Sequence, residues 1–445
     1  MRTSLLANRL VVASTLGVVL LSDGSAYGQA RPTPMFTRDV APIFQEKCEA
    51  CHRPGSVAPM SLVTFEDARP WVRSIKSRVA SRHMPPWHID RTIGIRDFKN
   101  DRSLSDQQIE TIVRWVDAGA PKGDPKDMPK LLEWKDSAKW NYAELFGGPP
   151  DLIIQSPPYT MPAVAQDVWF RRTVPTGLTE PRWVRAIEVR PRTNEGRRIV
   201  HHVTAQLEQD EPPSPESNDA PPIGPAYFME WAVGKQGETM REDSGKLMLP
   251  GSNIRFSVHY HAVGTEITDS VELGVYFYPK HTQPKYRQHL VSVYASNSGV
   301  PEFVDIRPNS IAVSSGVRAM PRAGRIESFQ PHMHLRGKAM LMEAILPDNS
   351  VQVLSYISDF DFSWMTNYFY ADHAAPLLPK GTLLRVTAWH DNTAANKNNP
   401  DPEQWVGHGD RTVDEMAHAW VNITYLSDEE YRAEQSRRRG LGASR

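Results

Sequence analysis

Cysteine is nearly absent from this sequence, because its 445 residues contain only Cys48 and Cys51. Two cysteines so close together cannot provide the disulfide framework on which many extracellular proteins depend. We therefore expect most of the chain to be held together by core packing and, where suitable side chains converge, by metal ligation.

An excess of charge of either sign is lacking as well. The 51 basic and 52 acidic residues leave a formal net charge of −1. Surfaces that bind nucleic acids or other polyanions usually give a chain a marked positive balance. The composition therefore predicts no nucleic-acid partner.

Long apolar runs are missing too, apart from a short one near the N-terminus. The run from Leu10 to Leu21 follows Arg2 and Arg9 and precedes small residues that offer cleavage sites. This pattern predicts a signal peptide over residues 1–30, since the run is too short for a comfortable membrane span. We expect a periplasmic or secreted protein with no membrane span in its mature chain, or a membrane-associated one if the signal stays uncleaved.

The strongest motif that the sequence does contain is Cys48-Glu49-Ala50-Cys51-His52. The C-x-x-C-H spacing is the attachment signature of a c-type haem, which the two thiols bind covalently while the histidine ligates the iron. Export fits this interpretation, because bacteria attach such haem outside the cytoplasmic membrane. The alternative is a thioredoxin-like redox pair, which requires a βαβ context and has no need for His52.

The surrounding residues predict a small helical unit over residues 31–121. The apolar side chains of residues 36–47 are spaced for a short amphipathic helix that leads into the motif. Ser105 begins a second amphipathic helix with a capping signal, and Gly119 and Pro121 end it. A haem motif early and an amphipathic helix late are typical of a class I cytochrome c.

Such a cytochrome needs a distal iron ligand between the two helices. We predict Met84, because a thioether opposite the proximal His52 raises the haem potential, as in electron-transfer cytochromes. An open position is one alternative, and three other side chains are candidates: Met60, His83 and His88.

The pattern changes after residue 121. Residues 122–150 are charged and interrupted by proline and glycine, which predicts a linker. From residue 151 to 428 short β-like runs alternate with turns, and the abundance of proline favours a β-sandwich or a barrel. Residues 429–445 are polar and rich in arginine, and we expect a polar tail.

Two strands of the β-like region carry paired histidines. In residues 254–261 the apolar side chains occupy alternate positions, so His259 and His261 fall on the opposite face. The same alternation puts His332 and His334 on one face of a later strand. Two neighbouring imidazoles suit a metal ion.

Two further elements add to this set of ligand types. His201 and His202 are adjacent, so both can bind one metal only if their strand ends or bulges there. Met416 lies on the polar face of its strand, together with His418 and Trp420. A thioether combined with imidazole selects copper, particularly Cu(I).

In their order along the chain, these residues resemble those of the type II copper, ascorbate-dependent monooxygenases, the peptidylglycine α-hydroxylating and dopamine β-monooxygenases. The resemblance covers about residues 150–428. The whole chain looks like bacterial proteins that fuse a planctomycete- or acidobacteria-type cytochrome c domain to such a module. It implies a small all-α class I cytochrome c followed by two tandem antiparallel, jelly-roll-like β-sandwiches, at 151–285 and 286–428.

The resemblance also implies one copper ion in each sandwich. The implied ligands of the electron-transfer copper are His201, His202 and His259. Those of the oxygen-binding, catalytic copper are His332, His334 and Met416. His261 is then a neighbour of the first copper, and His418 lines the cleft beside the second.

Two positions depart from the peptide-amidating members of the family. Those enzymes bind the substrate carboxylate with an arginine two residues before the H-x-H motif and a tyrosine four residues after the methionine ligand. This chain has Gln330 and Trp420 at these positions. The departure favours a less anionic substrate, aromatic or apolar, over a C-terminal glycine.

The predicted function is an exported haem- and copper-containing monooxygenase that hydroxylates a C–H bond with O2, with covalent haem c feeding electrons to two copper ions. Its partners would be a small-molecule or peptide organic substrate, O2, and an external electron donor or periplasmic redox partner. The alternative is a periplasmic electron-transfer cytochrome with a non-catalytic copper-binding or docking β-module. A third hypothesis is a purely structural sandwich whose histidines bind no metal.

Overall fold

The computed structural model describes residues 32–54, 56, 58–132, 140–210, 226–232, 235, 237–300 and 303–442. The predicted signal peptide, residues 1–30, lies outside this part of the chain. Among the described residues, no helix is both long and apolar enough to cross a membrane.

Helices are few and short, and most lie in the first third of the chain. The α-helices of the described residues, numbered α1 to α7, are Ala41–Lys47, Phe65–Ala68, Val72–Ala80, Asp106–Asp117, Ala143–Phe146, Gly196–Ile199 and Asp428–Gly442. Single turns of π-helix and 3-10 helix accompany them: Phe36–Val40, Arg69–Trp71 and Pro125–Asp127. Ser105 begins α4 with a capping box completed by Gln108, as the sequence predicts.

Strands dominate the chain after residue 150, which confirms that most of the protein is β-structure. The strands of the described residues are numbered β1 to β22: Leu152–Gln155, Tyr159–Met161, Val168–Pro175, Arg182–Pro191, Val200–Glu208, Ala226–Ala232, Glu238–Thr239, Ser244–Met248, Asn253–Tyr260, Ile267–Asp269, Val271–Phe277, Tyr286–Tyr294, Asp305–Ile306, Ile311–Ala319, Ala323–His332, Gly337–Ile345, Val351–Ile357, Tyr368–Phe369, Leu377–Leu378, Leu383–Asp391, Val406–Gly407 and His418–Leu426. The segment predicted as a polar tail is the helix α7 up to Gly442.

The first β region is layered around one cluster of buried side chains. Strands β1, β11, β4 and β8 form one layer, and β3, β9, β5 and β6 form the other. The alternate apolar residues of β9 are all buried in this cluster: Ile254, Phe256, Val258 and Tyr260. His259 therefore lies on the opposite face of β9, as the alternation predicts.

The second β region surrounds another cluster of buried side chains. Its layers are the four-stranded sheet β14-β20-β16-β17 and the strands β12, β22 and β15. The two regions share a continuous sheet, because β12 pairs with β6 at Leu290 and Tyr227 and with β8 at Tyr286 and Ser244. The two β regions are therefore joined by backbone hydrogen bonds as well as by side chains.

A third cluster of buried side chains lies among the N-terminal helices. Phe36 and Phe44 are fully buried, and their ring centroids lie 5.8 and 6.3 Å from that of Trp115 in α4. Cys48, which follows α1, packs against the same cluster. Aromatic contacts of this kind connect the beginning of the helical segment with its last helix.

The segment between α3 and α4 leaves the helices and packs into the second β region. We call residues 87–98 the arm. Trp87 and Ile89 of the arm are buried in the second β cluster. Ile89 forms a β-bridge with Ile357, and the rings of Trp87 and Tyr368 are in edge contact at 4.7 Å. The arm therefore fastens the helical segment to the second β region.

Candidate metal centre

The first histidine set consists of His201, His202 and His259. Helix α6 ends at Ile199, β5 begins at Val200, and β9 runs alongside. The pairing of β5 with β9 changes register between Val200 and His202, so His201 occupies a β-bulge. This bulge is the irregularity that two adjacent histidines need in order to face one ion.

The three imidazoles of the first set converge through the same ring atom. Nδ1 of His202 lies 3.1 Å from Nδ1 of His201 and 3.3 Å from Nδ1 of His259. The three ligand atoms all fall within 4.8 Å of one another. Two nitrogens bound to one ion at about 2.0 Å are about 3 Å apart, so these distances fit a shared metal.

Burial keeps the imidazoles of His201 and His202 neutral. It lowers the pKa of His201 to about 4, with repulsion from His259 as a further cause, and it lowers the pKa of His202 well below the usual value. His202 and His259 are 1% and 2% exposed. A neutral imidazole keeps a free lone pair, which is the form that binds a metal ion.

The second histidine set lies where β15 and β22 end side by side. His332 closes β15 and pairs directly with His418, the first residue of β22. The ring centroids of His332 and His334 are 5.3 Å apart. His334 and Met416 each lie two residues beyond this pairing, outside the strands. The paired strand ends thus bring two imidazoles to one sheet edge, and the segment that carries Met416 leads into the same edge.

In the second set the Nδ1 atoms have local partners. Nδ1 of His334 lies 3.0 Å from the carbonyl oxygen of Asp414, and Nδ1 of His332 lies 3.1 Å from Sδ of the buried Met365. When Nδ1–H donates to such an acceptor, Nε2 remains as the free ligand atom. The second set therefore offers Nε2 where the first offers Nδ1.

The two sets lie close together. The ring centroids of His202 and His332 are 5.6 Å apart. Phe362, in the loop between β17 and β18, stacks on His201 at 4.7 Å and meets the His334 ring at a steep angle at 5.8 Å. One aromatic side chain therefore contacts a histidine of each set. No motif in the sequence indicates Phe362 or Met365, so neither residue could be predicted from it.

A buried carboxylate supports the second set from behind. Glu415 accepts hydrogen bonds from the backbone N–H groups of His334, at 2.9 Å, and Arg336, at 2.6 Å. Burial raises the pKa of Glu415 to about 8. Nε2 of His390 lies 3.1 Å from the carbonyl oxygen of Met416. These contacts fix the turn after β15 and the segment that leads into β22.

Gln330 and Trp420, the two positions that depart from the family pattern, pair across β15 and β22. Gln330 is fully buried. Its amide accepts from Lys235 at 3.1 Å and donates to Glu230. The Trp420 ring lies 4.9 Å from that of His332, and its indole N–H has no hydrogen-bond partner among the described residues. The wall beside the second set is thus aromatic and closely packed, since Trp420 is 4% exposed and its N–H is buried.

The haem-attachment motif forms a helical turn at the end of α1. The backbone N–H groups of Cys51 and His52 lie 3.1 and 2.9 Å from the carbonyl oxygen of Cys48. Both thiols are free, and Nδ1 of His52 lies 3.3 Å from the carbonyl oxygen of Met60. Two half-buried thiols one turn apart and an imidazole that keeps Nε2 free are a donor set that fits covalent haem.

The thiol environment differs from that of a redox-active pair. Burial raises the pKa of Cys48 to about 12, whereas reactive C-x-x-C motifs lower a thiol pKa. The motif also follows a helix and precedes further helices, so the βαβ context of a thioredoxin-like site is missing from residues 34–117 as far as they are described.

The predicted distal ligand and its alternatives have different surroundings. Met84 is half-buried in the turn after α3, whereas His83 is exposed. The Met60 carbonyl contacts the proximal imidazole, and the backbone N–H of His88 donates to the Tyr368 hydroxyl at 3.1 Å. Met84 stays our prediction.

Comparisons with known proteins identify no family. No protein-family model matches the sequence, and no curated protein matches it. At 10% identity the chain is similar to the major capsid protein of bacteriophage PM2, with a TM-score of 0.28 over 62% of this chain and 99% of that one. It is also similar at 10% identity to the cowpea mosaic virus top component, with a TM-score of 0.29 over 67% and 94% of the two chains. Scores of this size carry no argument about function.

Proposed function

We propose that the protein is an exported haem- and copper-containing monooxygenase that hydroxylates a C–H bond with O2. The first histidine set binds one copper ion. The second set, comprising His332, His334 and Met416, binds the other. A haem bonded to Cys48 and Cys51 provides electrons.

The observation that carries the proposal is the convergence of the three imidazoles of the first set, whose ligand atoms lie within 4.8 Å of one another. Imidazole nitrogens alone suit zinc, copper, iron or nickel. The thioether of Met416, which precedes β22 by two residues, would favour copper as a ligand beside His332 and His334. The order of the ligands along the chain supports the same choice through the family resemblance.

When bound, the copper ions and the haem supply the one-electron chemistry that reduction of O2 requires. The chain itself holds the ligands in place and excludes bulk water, because His202, His259, His332 and His334 are each at most 2% exposed. Burial lowers the pKa of His334 to about 4, so this imidazole stays neutral and able to bind a metal at neutral pH.

The arm supports the assignment of the haem as electron donor. Ile89 of the arm bridges Ile357, the last residue of β17, and the Asp90 N–H donates to the Tyr356 carbonyl at 2.7 Å, so the arm lies beside the end of β17. The loop that follows β17 carries Phe362, which contacts a histidine of each set. The arm, which continues from the helices that follow the haem motif, therefore approaches the loop that contacts both ligand sets.

The wall beside the second set supports a substrate without a carboxylate. The Gln330 amide oxygen accepts from Lys235, and its two N–H groups donate to Glu230 and to the Met365 carbonyl, so this side chain has no donor to offer an anion. Trp420, at the position of the family's tyrosine, is 4% exposed and packs its ring near His332. Neither side chain provides the carboxylate contacts of the peptide-amidating enzymes, which favours an aromatic or apolar substrate.

Quantification of metal and haem in the purified, haem-matured protein tests the proposal. We expect one covalent haem and about two copper ions per chain, one for each set. Stopped-flow oxidation of the reduced haem by O2 then compares the copper-loaded with the copper-free protein. Copper should accelerate the loss of the reduced haem signal, because the haem delivers its electron to the copper sites.

Each other outcome selects a different function. If copper binds but leaves the rate of haem oxidation unchanged, the protein is an electron-transfer cytochrome with a non-catalytic copper module. If no copper binds under conditions that load known copper proteins, the β regions are structural and the monooxygenase proposal is wrong.

A further inference from the structure

Asp167, which immediately precedes β3, bonds to groups from both β regions. Its Oδ2 lies 3.1 Å from Nε2 of His259, and its Oδ1 lies 2.7 Å from Nδ1 of His261. The hydroxyl of Thr412 donates to Oδ2 of the same carboxylate. Thr412 belongs to the segment before β22, some 245 residues away in sequence.

We propose that Asp167 is a positioning residue with two effects. It selects Nδ1 of His259 as the metal-binding nitrogen, and through Thr412 it ties the first histidine set to the segment that carries Met416. The proposal rests on copper binding by the first set, as proposed above, and does not depend on hydroxylation of a substrate.

The first effect follows from the tautomers of imidazole. A neutral imidazole has one N–H and one lone pair, and an aspartate carboxylate at neutral pH can only accept. Nε2 of His259 must therefore donate to Asp167, which leaves the lone pair on Nδ1. Nδ1 is the atom that faces Nδ1 of His202 at 3.3 Å. Without the carboxylate, the tautomer with a proton on Nδ1 becomes accessible and blocks the ligand position.

Stacking reinforces this orientation. The Trp169 ring lies on the His259 ring at 5.0 Å with an angle of 5° between their planes. The ring of His259 is thus held by a flat contact on its face and a hydrogen bond at its edge. Contacts of this kind, made by the part of the ring that does not bind the metal, generally orient a metal-bound histidine.

The second effect follows from the face that β3 presents. Asp167, Trp169 and Arg171 occupy alternate positions and so point to the same side. Nε1 of Trp169 donates to the carbonyl oxygen of Asp410 at 2.6 Å, and the Arg171 guanidinium bonds to the Asp410 carboxylate at 2.5 Å. With the bond from Thr412 to Asp167, three successive side chains on one face of β3 hold residues 410–412.

The anchored residues lead directly to the second set. The carbonyl oxygen of Asp414 is the acceptor for Nδ1 of His334, and Met416 follows two residues later. Displacement of residues 410–412 would therefore reach both the orientation of His334 and the position of the thioether. The Asp167 carboxylate therefore connects the two sets, because it bonds both to His259 of the first set and to Thr412 in the segment that leads to Met416.

His261 provides the matched control. Its side chain is 60% exposed although it bonds to the same carboxylate. An exposed pair contributes little to stability, and His261 is not among the residues whose ligand atoms converge. His261→Ala should therefore leave both histidine sets as they are.

The first measurement uses the copper-free protein. Nitrogen NMR of the His259 ring should report a proton on Nε2 in the wild type and in His261→Ala. Asp167→Ala should give a mixture of tautomers, and Asp167→Asn should restore the Nε2–H form in part, because its amide oxygen still accepts. An unchanged His259 tautomer in Asp167→Ala would overturn the first effect.

The second measurement uses copper. We expect Asp167→Ala to weaken copper binding at the first set by about tenfold to a hundredfold and to change the Cu(II) electron paramagnetic resonance spectrum. Thr412→Val keeps the bond between Asp167 and His259, so the first set should bind normally while the second set weakens severalfold. If Thr412→Val leaves the second set unaffected, the link between the sets does not exist.

These readouts separate the two proposals. If the wild type binds no copper, the proposed function fails, and the tautomer measurement still decides whether Asp167 orients His259. If copper binds normally and the tautomer does not respond to Asp167→Ala, the function stands and the positioning role is wrong.

Discussion

The two histidine sets present opposite ring nitrogens, although both are read from short histidine motifs. In the first set Nδ1 of His202 lies 3.1 and 3.3 Å from Nδ1 of His201 and of His259, at a β-bulge and its neighbouring strand. In the second set the Nδ1 atoms of His332 and His334 bond to Met365 and to the Asp414 carbonyl, which leaves Nε2. The hydrogen-bond partner of one ring nitrogen, rather than the motif that contains the histidine, therefore selects which nitrogen is left to bind the metal.

The difference also suits the two roles that we propose. Three imidazoles fixed to adjoining backbone segments form a set that keeps its geometry when an electron arrives. The second set combines two imidazoles with a methionine, and a thioether ligand favours Cu(I). Exposure does not separate the sets, because each has two buried members and one half-buried member, His201 in the first and Met416 in the second. The ligand type therefore distinguishes the proposed site of O2 chemistry.

The largest expected effect is loss of one copper ion from a single histidine variant. His202→Ala removes the central Nδ1 of the first set, and His334→Ala removes an imidazole of the second. Because each set has its own ligands, each variant should lower the copper content from about two to about one per haem. Elemental analysis of the purified variants checks this.

The control for this experiment is His281→Ala, because His281 lies in an exposed turn. It should retain the full copper content. Loss of both copper ions from either set variant would show that the six residues act as one cluster. The experiment can decide this because the His202 and His332 rings are only 5.6 Å apart.

The next effect concerns a buried polar network that joins the two β regions near Gln330. Burial raises the pKa of Glu230 to about 7, while Lys235, at 3.6 Å, opposes this shift. Between the ordinary pKa of 4.5 and this value, the folded protein binds more protons than the unfolded chain. The free energy of unfolding therefore falls as pH rises through this window.

Glu230→Gln should remove this part of the pH dependence, which amounts to up to about 3 kcal/mol between pH 5 and pH 8. Urea unfolding of the copper-free protein at both pH values measures it, with the half-exposed Glu208→Gln as the matched control. Copper content should not change. A change in copper content would mean that the network belongs to the second set rather than to the packing between regions.

Periodicity predicted what lies within a single element. The alternation in β9 gave the face of His259, the capping signal gave the start of α4, and the adjacency of His201 and His202 required the bulge that the register shift shows. Each of these follows from local geometry, because neighbouring residues on one strand or helix have fixed relative directions.

Contacts between distant elements could not be predicted in this way. Asp167 and Thr412 are separated by 245 residues, and Phe362 meets His201 from a loop without any repeating pattern. The arm is a further case, since Trp87 lies in the segment predicted as helical and yet packs into the second β region. Such partners depend on how whole elements pack, and a single sequence does not encode this in its periodicity.

A smaller effect distinguishes the two methionines near the second set. Met416→Leu should weaken Cu(I) binding about tenfold, because it removes the predicted thioether ligand, while Met365→Leu should act less strongly by freeing Nδ1 of His332. Competition with a Cu(I) chelator measures affinity, and X-ray absorption reports the copper–sulfur bond. If Met365→Leu abolishes the copper–sulfur signal and Met416→Leu does not, the ligand set predicted from the family pattern is wrong.

The smallest expected effect concerns Phe362, the side chain that contacts both sets. Phe362→Leu keeps an apolar group in the loop but loses the stacking on His201 and the edge contact with His334. Aromatic pairs of this kind contribute about 0.5–1.5 kcal/mol beyond their buried area, so the copper content should remain unchanged. The proton NMR signals of the His201 ring in the copper-free protein should move downfield, because the ring current of Phe362 is gone.

Phe360→Leu is the control, since Phe360 packs in the second β cluster. The affinity for the second copper is compared with the first set empty and filled, in the wild type and in Phe362→Leu. If filling the first set changes this affinity equally in both proteins, Phe362 does not connect the sets. Asp167 with Thr412 then remains the structural link between them.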